Sequence, residues 1–233
     1  MATPAASDPS PLERLAAHAL AQVHDGMRLG LGSGRAATAF VRALAARIRA
    51  GLRVRGVPTS EATGRLAREL GVPLTGLDEG ELDLTVDGAD EVDPRLDLMK
   101  GYGGALVRER IVAAASRHVV ILAGREKLVP VLGSRGRLPV EVLPFAAPLT
   151  IRELADLGCR PVLRLDAGRP FVTDNGNWIV DCGVRPIEAP AAFARDLRDL
   201  PGVIDTGLFI GVADVVLVGD ASGVEARRRG PMR

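Results

Sequence analysis

The 233-residue chain reads as an α/β protein: a mostly parallel sheet flanked by helices, with a smaller α+β subdomain placed late in the chain. Two observations predict this. Up to residue 123, short apolar strands alternate with helical repeats, the pattern of βαβ units. After about Arg135 strands follow one another closely around an Asn175-Gly176 pair, a strong hairpin signal. The expected division puts residues 1–137 and 206–233 in the main domain and 138–205 in the subdomain.

The elements follow in order. Ser10-Pro11-Leu12-Glu13 opens a helix: Ser10 caps, Pro11 suits the first position and Glu13 completes a capping box, with the helix running to about Asp25-Gly26. Strand Met27–Leu31 enters Gly30-Leu31-Gly32-Ser33-Gly34, and a helix spans Ala36–Ala50. Strand Leu52–Val57 leads through Pro58-Thr59-Ser60 into a helix near Glu61–Leu70. Strand Asp83–Val86 ends at an acidic loop, a helix covers about Gly104–Ser116, and strand His118–Ala123 closes the first half. Next come strand Leu138–Val142, helix Pro148–Leu157, strands Arg160–Leu165, Phe171–Thr173 and Trp178–Asp181, helix Pro190–Leu200 and a last strand Asp214–Val218. The sequence Arg227 to Arg229 and beyond reads as a frayed tail. This order makes the main sheet Rossmann-like, and in such sheets ligands gather at the carboxyl ends of strands.

Composition narrows the function. Hydrophobic residues at 47% and charged residues at 25% are ordinary for a globular domain, and a net charge of +1 without a basic cluster argues against nucleic acid. No apolar run is long enough to span a membrane, and the first ten residues lack the features of a secretory leader, so the expected compartment is the cytoplasm. Cys159 and Cys182 have no metal-site spacing and read as buried thiols. His18, His24 and His118 fall outside every unusual motif, so proton transfer falls to carboxylates and lysine. No metal or organic cofactor is expected.

Six motifs could carry chemistry. Gly30–Gly34 brings backbone amides to a helix start, where an anion is welcome, and Arg35 adds a cation. It is not a dinucleotide fingerprint, because position 35 is arginine where the third glycine would stand. Thr59-Ser60-Glu61 supplies hydroxyls at another strand end, or simply a helix cap. Asp87-Gly88-Ala89-Asp90-Glu91 sets three carboxylates within five residues, costly unless they are solvated, paired or used, and lacks the alternate-acid spacing of a calcium loop. Lys100-Gly101-Tyr102-Gly103-Gly104 is a second close-approach loop, with Lys100 able to hold an oxyanion. Glu109 lies on its helix about 100° from Arg110, which shares a solvent-facing stripe with Arg117. Its neighbours there are Ala105, Val112 and Ala113, and partial burial would make it a better general base; a salt bridge to Arg108 is the plain alternative. Lys127, in Gly124-Arg125-Glu126-Lys127, sits on one more strand-end loop.

Together these segments resemble the type A ribose-5-phosphate isomerase family. The resemblance runs in order through Gly30–Ala37, Gly56–Thr63, Asp87–Glu91, Lys100–Glu109, Lys127–Gly133, Val140–Val142, Val172–Asn177 and Gly202–Phe209. It implies interconversion of D-ribose 5-phosphate and D-ribulose 5-phosphate through an ene-diolate, in a homodimer or homotetramer. By the same resemblance Glu109 is the proton acceptor, and Asp87, Asp90 and Lys100 are catalytic groups of the sugar site. Ser33, Gly34, Arg35, Ala36 and Lys127 fall on phosphate-binding positions, with Ser60, Gly88, Ala89, Gly101, Tyr102 and Gly103 completing the substrate contacts. The departures all lie on the phosphate side: Ser33-Gly34-Arg35-Ala36 replaces Thr-Gly-Ser-Thr, Glu126 a serine and Gly124 an acid. They leave open a different aldose phosphate. A non-catalytic phosphosugar sensor would want an attached helix-turn-helix, and a coenzyme A transferase is suggested only by analogy of fold.

Overall fold

A computed structural model describes residues 9–230; residues 1–8 and 231–233, on which the leader and tail readings partly fall, lie outside the described residues. Helix α1 (Pro11–Leu20) is followed by β1 (Arg28–Leu31), α2 (Gly34–Arg49), β2 (Arg55–Pro58), α3 (Glu61–Glu69) and β3 (Leu84–Gly88). Short strands β4 (Glu91–Val92) and β5 (Leu98–Met99) precede α4 (Leu106–Ala114) and β6 (Val119–Gly124). Then come β7 (Arg137–Val142), α5 (Ala147–Asp156), β8 (Arg160–Leu163), β9 (Leu165–Asp166), β10 (Arg169–Pro170), β11 (Trp178–Gly183) and α6 (Pro190–Arg198). The chain closes with β12 (Val203–Thr206), β13 (Leu208–Phe209), β14 (Val215–Gly219) and β15 (Val224–Arg228).

The α/β expectation holds. A six-stranded sheet runs β15-β14-β6-β3-β1-β2, parallel throughout except for β15. Its inner strands β14, β6, β3 and β1 are largely buried on both faces, as parallel strands covered by helices must be, and Leu15, Phe40, Leu44, Val86 and Leu122 belong to one continuous apolar cluster. A four-stranded antiparallel sheet, β12-β7-β11-β8, packs against its own cluster, which includes Leu154, Cys182 and Leu197. Between them lies a small sheet, β13-β5-β4, that no alternation in the sequence foretold. After β1 the chain crosses to β2 on one side and later to β3 on the other, so the loops after β1 and β3 border the crevice where such sheets bind ligands.

Three expectations are corrected. Arg227 to Arg229 is not a frayed tail: Arg227 and Arg228 end β15, which pairs with β14 over five residues, and Arg229 then donates to the carbonyls of Ala213 and Leu96 and pairs with Asp97. A parallel sheet edge left bare is a liability, and an antiparallel strand rich in charge covers it. Phe171–Thr173 shrinks to a single antiparallel bridge, Val172 to Trp178, across the Asn175-Gly176 turn, and a further hairpin that turns at Ala167-Gly168, both with positive φ, makes β9 and β10. Finally, Arg110 does not face solvent with Arg117. It pairs with Asp205, donates to the carbonyls of Thr206 and Leu208, and lies 4.0 Å from the Phe209 ring centroid.

Candidate active site

A cavity of about 630 Å³ opens at the carboxyl ends of β1, β3, β6 and β14. Its lining includes Ser33, Gly34, Arg35 and Ala36 after β1, and Gly88, Ala89 and Asp90 after β3. Lys100, Gly101, Gly103, Glu109 and Lys127 complete the expected set that it gathers. The N-terminal turn of α1 (Ser10, Leu12) and the strand end Gly219-Asp220 line it too, which local sequence signals did not indicate.

Lys100 is the hub of the site. Its Nζ lies 3.1 Å from Asp87 Oδ2 and 3.3 Å from Glu109 Oε2, and donates to the Gly88 carbonyl at 2.5 Å. All three side chains are buried. Asp87 spends its other oxygen, Oδ1, on the amides of Ser33 (3.1 Å) and Gly88 (2.7 Å). It stands behind the cavity wall instead of lining it, and it approaches so close to the backbone of Gly32 that a Cβ there would collide with it.

Burial pushes the Glu109 carboxyl up to about 8; Lys100 pulls it back and Asp87 adds to the rise. For Lys100, burial works against the charge, but Asp87 and then Glu109 outweigh it and hold the ammonium above its ordinary pKa. Two carboxylates thus compete for one cation. Asp87, with two amide donors and the nearer ammonium, is the better served, and Glu109, whose Oε2 has only the ammonium at 3.3 Å, is the poised one. The supposed Glu109–Arg108 bridge does not form, because Arg108 turns outward to Glu61 (2.8 Å), Asn175 (2.9 Å) and the Asp174 carbonyl (2.8 Å).

The remaining acids of the β3 loop part company. Asp90 lines the cavity and accepts from the Tyr102 amide at 3.0 Å. Glu91 points away, its two oxygens taking the amides of Gly133 (2.7 Å) and Arg135 (2.8 Å). Asp93 closes a local turn by accepting the amides of Arg95 and Asp97, while the Asp97 carboxylate takes the Gly211 amide and pairs with Arg229.

At the other end of the cavity, α2 begins without a side-chain cap and without an acid in its first turn. The Ser33 hydroxyl is taken by the next loop, donating to Ser60 at 2.7 Å and meeting Thr59 at 2.8 Å. The free amides of this helix start and the exposed Arg35 are therefore disposed toward an anion. Across the cavity Arg125 is engaged by Asp220 and Glu225, whereas among the described residues Lys127 and Arg35 make no ion pair. Two expected substrate contacts lie elsewhere. Ser60 is buried, caps α3 through the Thr63 amide and does not line the cavity. The Tyr102 side chain packs under Arg137, its hydroxyl donating to the Arg137 carbonyl, and only its backbone serves the site. Among the described residues no group of three or more His, Cys, Asp or Glu side chains is arranged to hold a metal ion. No helix among them is long and apolar enough to cross a membrane.

Comparison with known proteins places this geometry. The family model described as ribose 5-phosphate isomerase A (phosphoriboisomerase A) matches residues 55–223. A ribose-5-phosphate isomerase A of Roseiflexus sp. is 50% identical, the match covering 91% of this chain and 93% of the relative. That of Thermomicrobium roseum is also 50% identical, over 93% of each chain. The solved ribose 5-phosphate isomerase A of Methanocaldococcus jannaschii superposes with a TM-score of 0.90 at 39% identity, over 94% of this chain and 98% of that one. A D-ribose-5-phosphate isomerase in complex with phospho-erythronic acid gives a TM-score of 0.91 at 37% identity, with the same coverage. With the Asp87–Lys100–Glu109 cluster falling within the matched residues, the chain belongs to the ribose 5-phosphate isomerase A family.

Proposed function

We propose that this chain interconverts D-ribose 5-phosphate and D-ribulose 5-phosphate, with Glu109 as the base that moves the proton between C2 and C1. The carrying observation is the buried ammonium of Lys100 held between Asp87 and Glu109 at the floor of the cavity. In the open-chain aldose, Glu109 takes the proton from C2. The electron pair of that bond forms the C1–C2 double bond, and the C1 carbonyl oxygen becomes an oxyanion. Lys100 stabilises that charge. Glu109, now a carboxylic acid, returns its proton to C1, while the C2 hydroxyl gives up its proton, which the O1 alkoxide ultimately receives. A carboxyl raised by burial suits both halves of this exchange.

On this reading the two aspartates have different roles. Asp90, on the cavity wall, is the group able to take and give protons at the ring oxygen and the anomeric hydroxyl during ring opening. Asp87 holds Lys100 in place. The α2 amides, Arg35 and Lys127 receive the phosphate. The relative captured with phospho-erythronic acid supports this reading, since a phosphorylated acid pairs a phosphate with a planar carboxylate much like an ene-diolate.

Glu109→Gln tests the assignment. It keeps shape and folding but cannot accept the proton, so turnover of ribose 5-phosphate falls by about 10²–10⁴-fold and solvent deuterium no longer enters at C1. Turnover near wild type would overturn it.

Three further expectations rest on the same reading. Separate apolar clusters under the six- and four-stranded sheets support a subdomain at 138–205. Phe145, 93% exposed, together with the exposed Leu143 and Ile204, supports assembly as a homodimer or homotetramer, readable by light scattering. A sugar-phosphate substrate is consistent with the cytoplasm.

A further inference from the structure

One largely enclosed arginine is left over by this mechanism. Arg164 follows β8, and its backbone is pinned on both sides, its amide donating to the Ile179 carbonyl and its own carbonyl accepting from the Phe171 amide. Its side chain is 11% exposed and does not line the cavity. Asp181 grips it through two bonds, from Nε at 2.9 Å and Nη2 at 2.6 Å. Opposing burial, Arg164 and Arg137 together hold the Asp181 carboxyl below its ordinary pKa, so the anchor stays charged.

The remaining nitrogen, Nη1, donates to the carbonyls of Gly101 (3.2 Å) and Tyr102 (3.1 Å). The Gly101 carbonyl and the Tyr102 amide belong to one peptide unit, and that amide donates to Asp90 Oδ2 at 3.0 Å. A cation on the oxygen of a peptide polarises it, strengthening its N–H as a donor. It also fixes the plane of a peptide that begins at Gly101, where φ is +102° and the backbone would otherwise have wide freedom. We propose that Arg164, anchored by Asp181, is a positioning residue that acts through the Gly101–Tyr102 peptide to hold Asp90 in its catalytic orientation. The inference rests on the reading of Asp90 as a sugar-site group.

The test is a double-mutant cycle on the intact chain. Arg164→Met leaves Asp181 paired with Arg137, whose two bonds measure 2.9 and 3.0 Å, so no buried charge is orphaned. In the wild-type background kcat/KM for ribose 5-phosphate falls about 10–100-fold, the cost of a sub-ångström to ångström misplacement. In an Asp90→Ala background the same substitution changes kcat/KM by less than about twofold, because the group it positions is gone. A merely structural arginine would cost the same factor in both. Read independently of turnover, hydrogen exchange at the Tyr102 amide quickens in Arg164→Met while that of Leu217, in the main core, does not change. Equal losses in the two backgrounds, or unchanged exchange at Tyr102, would overturn the proposal. Arg164→Lys, which keeps a cation without the fork, is read in the same way if Arg164→Met does not fold. Glu109→Gln keeps the two readings apart: if it retains turnover the mechanism itself fails, whereas if it is inactive and the Arg164 variants are unaffected only this inference fails.

Discussion

Lys100 Nζ lies 3.3 Å from Glu109 Oε2, and both side chains are buried against the far side of the substrate cavity. The contact is an ion pair but not an exclusive one, since the ammonium is shared with the nearer Asp87 and with the Gly88 carbonyl. A carboxylate so placed is available to a C–H proton in a way that a fully paired one is not.

Replacing Lys100 by methionine leaves two buried carboxylates with no cation between them. Loss of one partner from a buried charge cluster costs about 3–5 kcal/mol, so the midpoint of urea unfolding drops visibly. Turnover falls by about 10²–10³-fold as the oxyanion loses its nearest cation. A variant with unchanged unfolding and near-normal turnover would remove Lys100 from the mechanism.

The pH dependence follows from the raised Glu109 carboxyl. As the base must be ionised, kcat/KM climbs with pH toward a limb near 8, far above the ordinary range for glutamate. Stability moves the other way. A carboxyl raised on folding contributes its stabilisation fully below its unfolded value of 4.5, and that contribution is lost as pH rises through about 8. Glu109→Gln cannot ionise, so it gains on wild type by a few kcal/mol, in order of magnitude, between pH 4.5 and 9. Parallel stability curves for the two proteins over that range would contradict the burial of a titrating Glu109.

Arg35 is exposed at the open start of α2. A cation there is unfavourable to the helix dipole and becomes useful once an anion sits between them. Arg35→Ala accordingly raises KM for ribose 5-phosphate about tenfold while kcat stays within about threefold, the signature of binding lost equally from ground and transition states. Steady-state kinetics at low ionic strength measure this; a fall in kcat alone would place Arg35 in the chemistry.

Much of this was legible in the chain itself. The parallel sheet showed because its strands are short apolar runs ending in glycine or acid, and Glu109 showed because helical spacing set a charge among small residues. The relations that escaped notice are those with no local signal. Arg164 reaches Gly101 across 63 residues, and Arg110 reaches Asp205 across 95. The two-residue strands β4, β5 and β13 are too short for alternation to register. The arginines of β15 hid an edge strand because charge on an edge looks, in sequence, like a solvated tail. That Asp90 lines the cavity and Asp87 does not was likewise a matter of three dimensions, with no signal in the loop's sequence.

Glu141, on β7, is fully buried and accepts from Thr173, Asn175 and Asn177, gathering the turn that precedes β11. That turn reaches outward as well: Asp174 receives the amide of Glu61 at the start of α3, and Asn175 takes Arg108, the residue beside Glu109. The four-stranded sheet is therefore strapped to the two helices that carry the hydroxyl loop and the base. One short turn thus joins β7 to the starts of both α3 and α4, and its contact on α4 is with the residue next to Glu109 in the chain.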